Sequence, residues 1–193
     1  MGSHMLDLPY WALDLRFPTS CKAEGTPVST DTCPEWMNVT WDHPATPERP
    51  ALKIHWYDGG KKPGMPAKVF NRDEMFKGML FKGTKGWLLA DYGFRILQLR
   101  GDMTHYDSPT PEQLIPKSPG HHMEWITGCK TGKPTLCNFD YSGALIEHNL
   151  LALVAYRTGQ KLDWDAKSLR ATNCAEADQF IKKTYRDGWV LNG

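Results

Sequence analysis

The seven histidines are the side chains in this chain best suited to chemistry. His4 and Asp7 stand three apart in a helical stretch, so both project from one face. His121 and His122 sit in the first turn of another helical stretch, where a helix end is open to solvent. His55 alternates with Lys53 and Tyr57 along a strand, placing an imidazole, an ammonium and a phenol on one face as expected substrate-binding groups. Imidazole and carboxylate converging on one point suit zinc or manganese. His4 with His121 or His122 is the expected ligand set, and Asp7 a further donor. A metal there would lower the pKa of a bound water and deliver hydroxide to a phosphoester or another ester, the chemistry of a metal-dependent hydrolase. The plainer role for each histidine is that of a surface or core residue, with His121 a helix-terminus hydrogen-bonder. Asp163 and Asp165, on either side of Trp164, read as turn or cap residues ahead of a helix rather than as an acid–base pair.

Other chemistries lack their motifs. No Gly-x-Gly-x-x-Gly follows a strand, and there is no Walker A sequence, Gly-x-Ser-x-Gly elbow or His-Glu-x-x-His. NAD(P) is therefore not an expected cofactor. The five cysteines are odd in number and show no Cys-x-x-Cys, so they read as reduced thiols.

The elements that must position these residues follow from periodicity. A helix is expected over 4–15, with a Leu6, Tyr10, Leu13 stripe and Pro9 tolerable only near the first turn. Strands are expected over 20–24, 35–41 and 51–57, with a proline-containing loop over 43–50 and a turn at Asp58-Gly59-Gly60. GMLFKG, GWLLAD and RILQLR read as a three-stranded meander, and 101–117 as a polar connection. Ser118 is the expected N-cap of a helix with Pro119 at its first position, ending at Thr131-Gly132. The stretch 141–157 is apolar on most sides (Leu145, Ile146, Leu150, Leu151, Leu153, Val154) and is expected to be buried. Asn173 and Glu176 read as the capping box of a last helix ending near Gly188.

Strands early and helices late define an α+β fold: an open, mostly antiparallel sheet with helices packed on one face. The other face needs a partner if its residues are apolar. The 193 residues suit a single domain, at 40% hydrophobic and 23% charged. A net charge of +1 with no basic block gives nucleic-acid binding no electrostatic support. No apolar run approaches a membrane span and no leader precedes the pattern, so a cytoplasmic protein is expected.

Six blocks in order carry a resemblance: HMLDLPYWAL, AEG, ALKIHWYDGGKKP, SPGHHMEWITGCKTGKP, NFDYSGALIEHNLLALVAYRTGQKLDWDA and NCAEADQFIKKTYRDGW. Together they span nearly the whole chain and resemble the C-terminal domain of the glucose–fructose oxidoreductase, inositol dehydrogenase and rhizopine-catabolism (Gfo/Idh/MocA) family. In that family an N-terminal Rossmann domain binds NAD(P). The C-terminal domain supplies the substrate pocket, and its sheet forms the oligomer interface. The resemblance implies that His4, in Gly2-Ser3-His4-Met5-Leu6-Asp7, is the catalytic acid/base, and that the opening MGSHM is family sequence rather than a vector scar. It implies a homo-oligomer formed through the sheet face and a small polyhydroxylated or ester ligand. Without the Rossmann half, the chain is expected to be a stand-alone substrate domain that is not redox-competent. The metal-dependent hydrolase is the alternative.

Overall fold

The computed structural model describes residues 1–63, 78–101 and 117–190. The chain forms two compact units, Met1–Pro66 with Ala144–Gly193, and Ala67–Gly143. The α+β class expected from the sequence is the class observed, with the strands divided between two antiparallel sheets. Most of the connection expected over 101–117 lies outside the described residues.

In the first unit, α1 (Gly2–Ala12) precedes β1 (Ser20–Gly25), β2 (Met37–His43) and β3 (Leu52–Tyr57). The helix ends three residues short of its expected boundary, and Pro9 lies in its last turns, not its first. Proline removes a backbone donor and crowds the preceding turn, so little helix follows it. Gly2 lies against Asn149: a Cβ on Gly2 would lie 3.1 Å from the Asn149 amide oxygen, and Asn149 donates to Ser3 Oγ at 3.4 Å. The turn at 58–60 holds as expected. Asp58 accepts from the Met37 amide at 2.6 Å and from Trp56 Nε1 at 2.9 Å. Gly59 has φ +58°, and a Cβ there would meet Glu35 O at 2.0 Å, so only glycine fits.

Strand β2 runs two residues past its expected end, because the alternation Val39, Trp41, His43 continues inward. The sheet order is β3-β2-β1-β7-β8, with β7 (Leu162–Asp165) and β8 (Arg170–Ala171) arriving late in the chain. Asp163 and Asp165 thus belong to a strand and not to a helix cap. Asn173 caps no helix either: it accepts from the Asp163 amide and donates to Lys161 O, both at 2.8 Å, which ties down β7. A short 3-10 turn (Ala175–Ala177) and a four-residue helix (Asp178–Ile181) replace the long terminal helix expected there.

The second unit contains the expected meander, β4 (Met79–Gly83), β5 (Gly86–Ala90) and β6 (Arg95–Leu99). It also contains α2 (His121–Thr131). This helix starts two residues after its expected first position, Pro119. Gly120 takes the N-cap place at φ +96°, and Ser118 Oγ accepts the Gly120 amide at 3.0 Å while donating to the Glu124 carboxylate.

Helix α3 (Phe139–Thr158) supplies the cover of the first unit's sheet. Its apolar residues are not all buried as expected. Ala144, Leu145, His148, Leu151, Ala152, Val154 and Ala155 are inside, while Ile146, Leu150 and Leu153 are 43%, 53% and 43% exposed. A 3.6-residue repeat packed on one sheet can turn only one stripe inward, whatever the composition of the other side.

The centre of this packing is aromatic. Trp41 stacks on His148 with centroids 4.2 Å apart and donates its Nε1 to His148 O at 2.9 Å. Tyr10 meets the same imidazole edge-on at 5.4 Å, and its hydroxyl faces Ala144 O at 3.0 Å and Arg16 O. One ring thereby joins α1, β2 and α3. The one-sided burial of α3 has a direct test. Leu151→Ala should cost about 2–5 kcal/mol of unfolding free energy and Leu150→Ala under about 1 kcal/mol, read from urea denaturation. Equal losses would show that both stripes are packed.

Candidate functional site

Strand pairing arranges the outer face of the five-stranded sheet in three rows. Ser20, Asp42 and Lys53 form the first; Lys22, Thr40 and His55 the second; Glu24, Asn38 and Tyr57 the third. Each row follows from alternation: Cys21, Ala23, Val39, Trp41, Ile54 and Trp56 take the other face, so their neighbours point outward. This face is polar, so the condition under which a partner would be obligatory for covering it, an apolar surface, is not met.

The first row is an ion cluster. Asp42 binds Lys53, accepts from Ser20 Oγ at 2.6 Å, and pairs with Lys161 at 3.2 Å. These donors, Lys53 foremost, hold its carboxyl well below the usual carboxylate range. In the second row Thr40 Oγ1 lies 3.0 Å from His55 Nδ1. The His55 ring stands 6.4 Å from Tyr57 between centroids. Lys22 and Glu24 pair at 2.6 Å. Between these rows a shallow hollow of about 230 Å³ is lined by Lys22, Glu24, Asn38, Val39, Thr40 and Tyr57. Asn38 Oδ1 is buried in its wall without a hydrogen-bond partner. An orphaned buried acceptor costs about 1–3 kcal/mol.

The three expected substrate-binding residues, Lys53, His55 and Tyr57, are therefore on one face, and one of them, Tyr57, lines the hollow. Lys22, Glu24, Asn38, Thr40 and Asp42 were not anticipated. Their signal was present, since SCKAEG and MNVTWDH alternate as regularly as LKIHWY.

The other candidates fall elsewhere. His4 and Asp7 are exposed on α1 of the first unit. His121 and His122 are exposed at the start of α2 in the second unit, with ring centroids 4.0 Å apart. Among the described residues no three His, Cys, Asp or Glu side chains are grouped so as to hold a metal ion. Two histidines the sequence reading passed over, His43 and His148, are wholly buried. His43 falls at the start of the loop expected over 43–50, and His148 within the helix expected over 141–157. Continuing the β2 alternation by one step, and counting three from Leu145 and to Leu151, places both inside.

No family model matches the chain, and no curated protein matches it significantly. Among the described residues no helix is long and apolar enough to cross a membrane.

The Asp42 cluster sets an acid limit on the sheet. Its carboxyl is depressed, so its stabilisation is present above the ordinary carboxylate pKa of about 4 and is lost as pH falls below it. Asp42→Asn should lower stability by about 1–2 kcal/mol at pH 7. The gap from wild type should narrow below pH 4, as followed by urea midpoints across pH. A gap independent of pH would show that the lysines do not act through the charge.

Proposed function

We propose that this chain is the substrate-holding and self-associating domain of a sugar-oxidoreductase-like protein, with no redox chemistry of its own. The observation that carries the reading is the outer sheet face, where acceptors and donors alternate across three strands around an unpaired Asn38 carbonyl oxygen. A hydroxyl both donates and accepts, so vicinal hydroxyls match such an array better than an anion or a cation does. Lys22 and Glu24 neutralise each other beside it, which again suits a neutral polyhydroxylated ligand. Tyr57 offers an apolar ring for the C–H side of such a ligand. At about 230 Å³ the hollow is smaller than the ~300–1,000 Å³ of typical drug-sized sites, so the ligand is small. A second copy on the same face would close the hollow and exclude water from it. The lack of a dinucleotide motif supports the absence of redox activity in this chain.

The test is NMR titration of the isotopically labelled chain with myo-inositol and glucose, and separately with NAD. Shifts at Thr40, His55 and Tyr57 in the millimolar range, reduced at least tenfold in Asn38→Ala, are expected, with no saturable NAD response. Micromolar NAD binding, or polyol shifts confined to other surfaces, would overturn the reading. Sedimentation should show a dimer that Tyr57→Arg, a charge placed on the face, dissociates.

A further inference from the structure

Away from the outer face, the core contains a titratable device that the proposed ligand site does not use. His43 on β2 and His148 on α3 face each other through their Nε2 atoms at 3.2 Å, in rings 23° from parallel with centroids 5.2 Å apart. Both residues are buried, at 2% and 0% exposure. A hydrogen bond between two Nε2 atoms needs the proton on one and a lone pair on the other, so the neutral rings hold opposite tautomers. Both Nδ1 atoms are enclosed without a partner. One carries a proton and the other a lone pair, and neither is matched.

The surroundings disfavour a further proton: the Asp42 charge favours one on His43, but burial and Arg49 outweigh it. On β2, Asp42 points to the opposite face and is taken up by Ser20, Lys53 and Lys161. From the loop after β2, the Arg49 guanidinium, held by Leu13 O at 2.8 Å and Pro44 O at 2.7 Å, adds positive charge near His43. From α1, Tyr10 presents a ring edge, and burial holds its phenol in the neutral form. On α3 itself, Glu147 is committed to Trp164 Nε1 at 2.7 Å. From the sheet, β1 and β3 contribute Cys21, its thiol kept neutral by burial, and Leu52 and Ile54. Burial first, and then Arg49, brings His43 down to about 4. Burial and His43 bring His148 down to about 3.

We infer that the His43–His148 pair is an acid-released fastener that holds α3 on the sheet while the pair carries no net charge and lets it go when the imidazoles are protonated. Both groups have depressed folded values. The fastening is therefore complete above the ordinary histidine value of about 6.5 and weakens as pH falls from there toward 4, because the opened state takes up protons that the closed state refuses. Opening frees the contacts that α3 makes with α1, through Tyr10–Ala144 and Ser3–Asn149, and with β7, through Glu147–Trp164.

Two measurements on the full chain test this. Nitrogen-detected imidazole spectra at pH 7.5 should show one Nε2–H and one Nδ1–H tautomer for these two residues; two like tautomers, or a charged ring, would overturn the proposal without any variant. Hydrogen exchange of α3 amides, corrected for intrinsic rate, should show an opening constant that rises toward about 100-fold per pH unit below pH 6, the limit for two protons, with β5 amides as an internal reference. In His43→Leu/His148→Leu the α3 slope should flatten while the β5 amides are unchanged. An unaltered slope in that variant, or equal acceleration at α3 and β5 in wild type, would refute a local fastener. Should the variant fail to fold, the tautomer spectra and the wild-type exchange slope decide.

Discussion

Trp41 stacked on His148 is the contact around which the first unit is arranged. The indole fills the inner face of β2, and its N–H reaches the α3 backbone at His148 O, so sheet and helix are joined by one side chain in two ways. Tyr10 closes the third side from α1. Large rings bury more apolar area than any aliphatic side chain and fix orientation through their edges and faces. With the centre so specified, the remaining inward positions need only small or flexible groups, which is why Ala144, Ala152 and Ala155 line the facing stripe of α3. The two imidazoles are buried in the same packing, and their proton chemistry follows from that burial.

The two faces of the five-stranded sheet divide the work. The inner face is packed, and the outer face is wetted, charged and ordered by pairing. Apart from the buried Ser20, every second residue of three adjacent strands reaches water beside a partner fixed by register. Rigid strands are a better platform than loops for a recognition array, because the spacing of groups is set by the ladder itself. The Asp42 cluster also links β3, through Lys53, to the segment entering β7, through Lys161, so the face is held together electrostatically across the sheet.

Much of this was legible beforehand. The Lys53, His55, Tyr57 face could be read from alternation, the six strands of the early chain from alternation and glycine-rich turns, the turn at 58–60 from Asp-Gly-Gly, and the fold class from strands early and helices late. Misreadings had local causes. Ser118 and Asn173 have the chemistry of helix caps but found better partners, Glu124 and the β7 backbone. The α3 sequence is apolar all round, and periodicity cannot say which stripe the sheet takes. The polar rows on β1 and β2 are visible in the sequence only as positions that share a face, not as residue types that do chemistry. The histidine pair lies 105 residues apart in sequence, and only the strand-to-helix packing brings it together.

The strand order has a consequence for how the protein is made. Strands β1 to β3 leave the ribosome first and pair as consecutive hairpins, but the neighbour on the other side of β1 is β7, which begins at Leu162. Throughout synthesis of the intervening segment, one edge of β1 and the whole inner face with Trp41 lack their partners. An exposed edge and an uncovered aromatic surface are what nascent-chain chaperones bind. The sheet is therefore completed late, when the chain from Phe139 onward emerges and brings α3 and then β7 to the waiting hairpins.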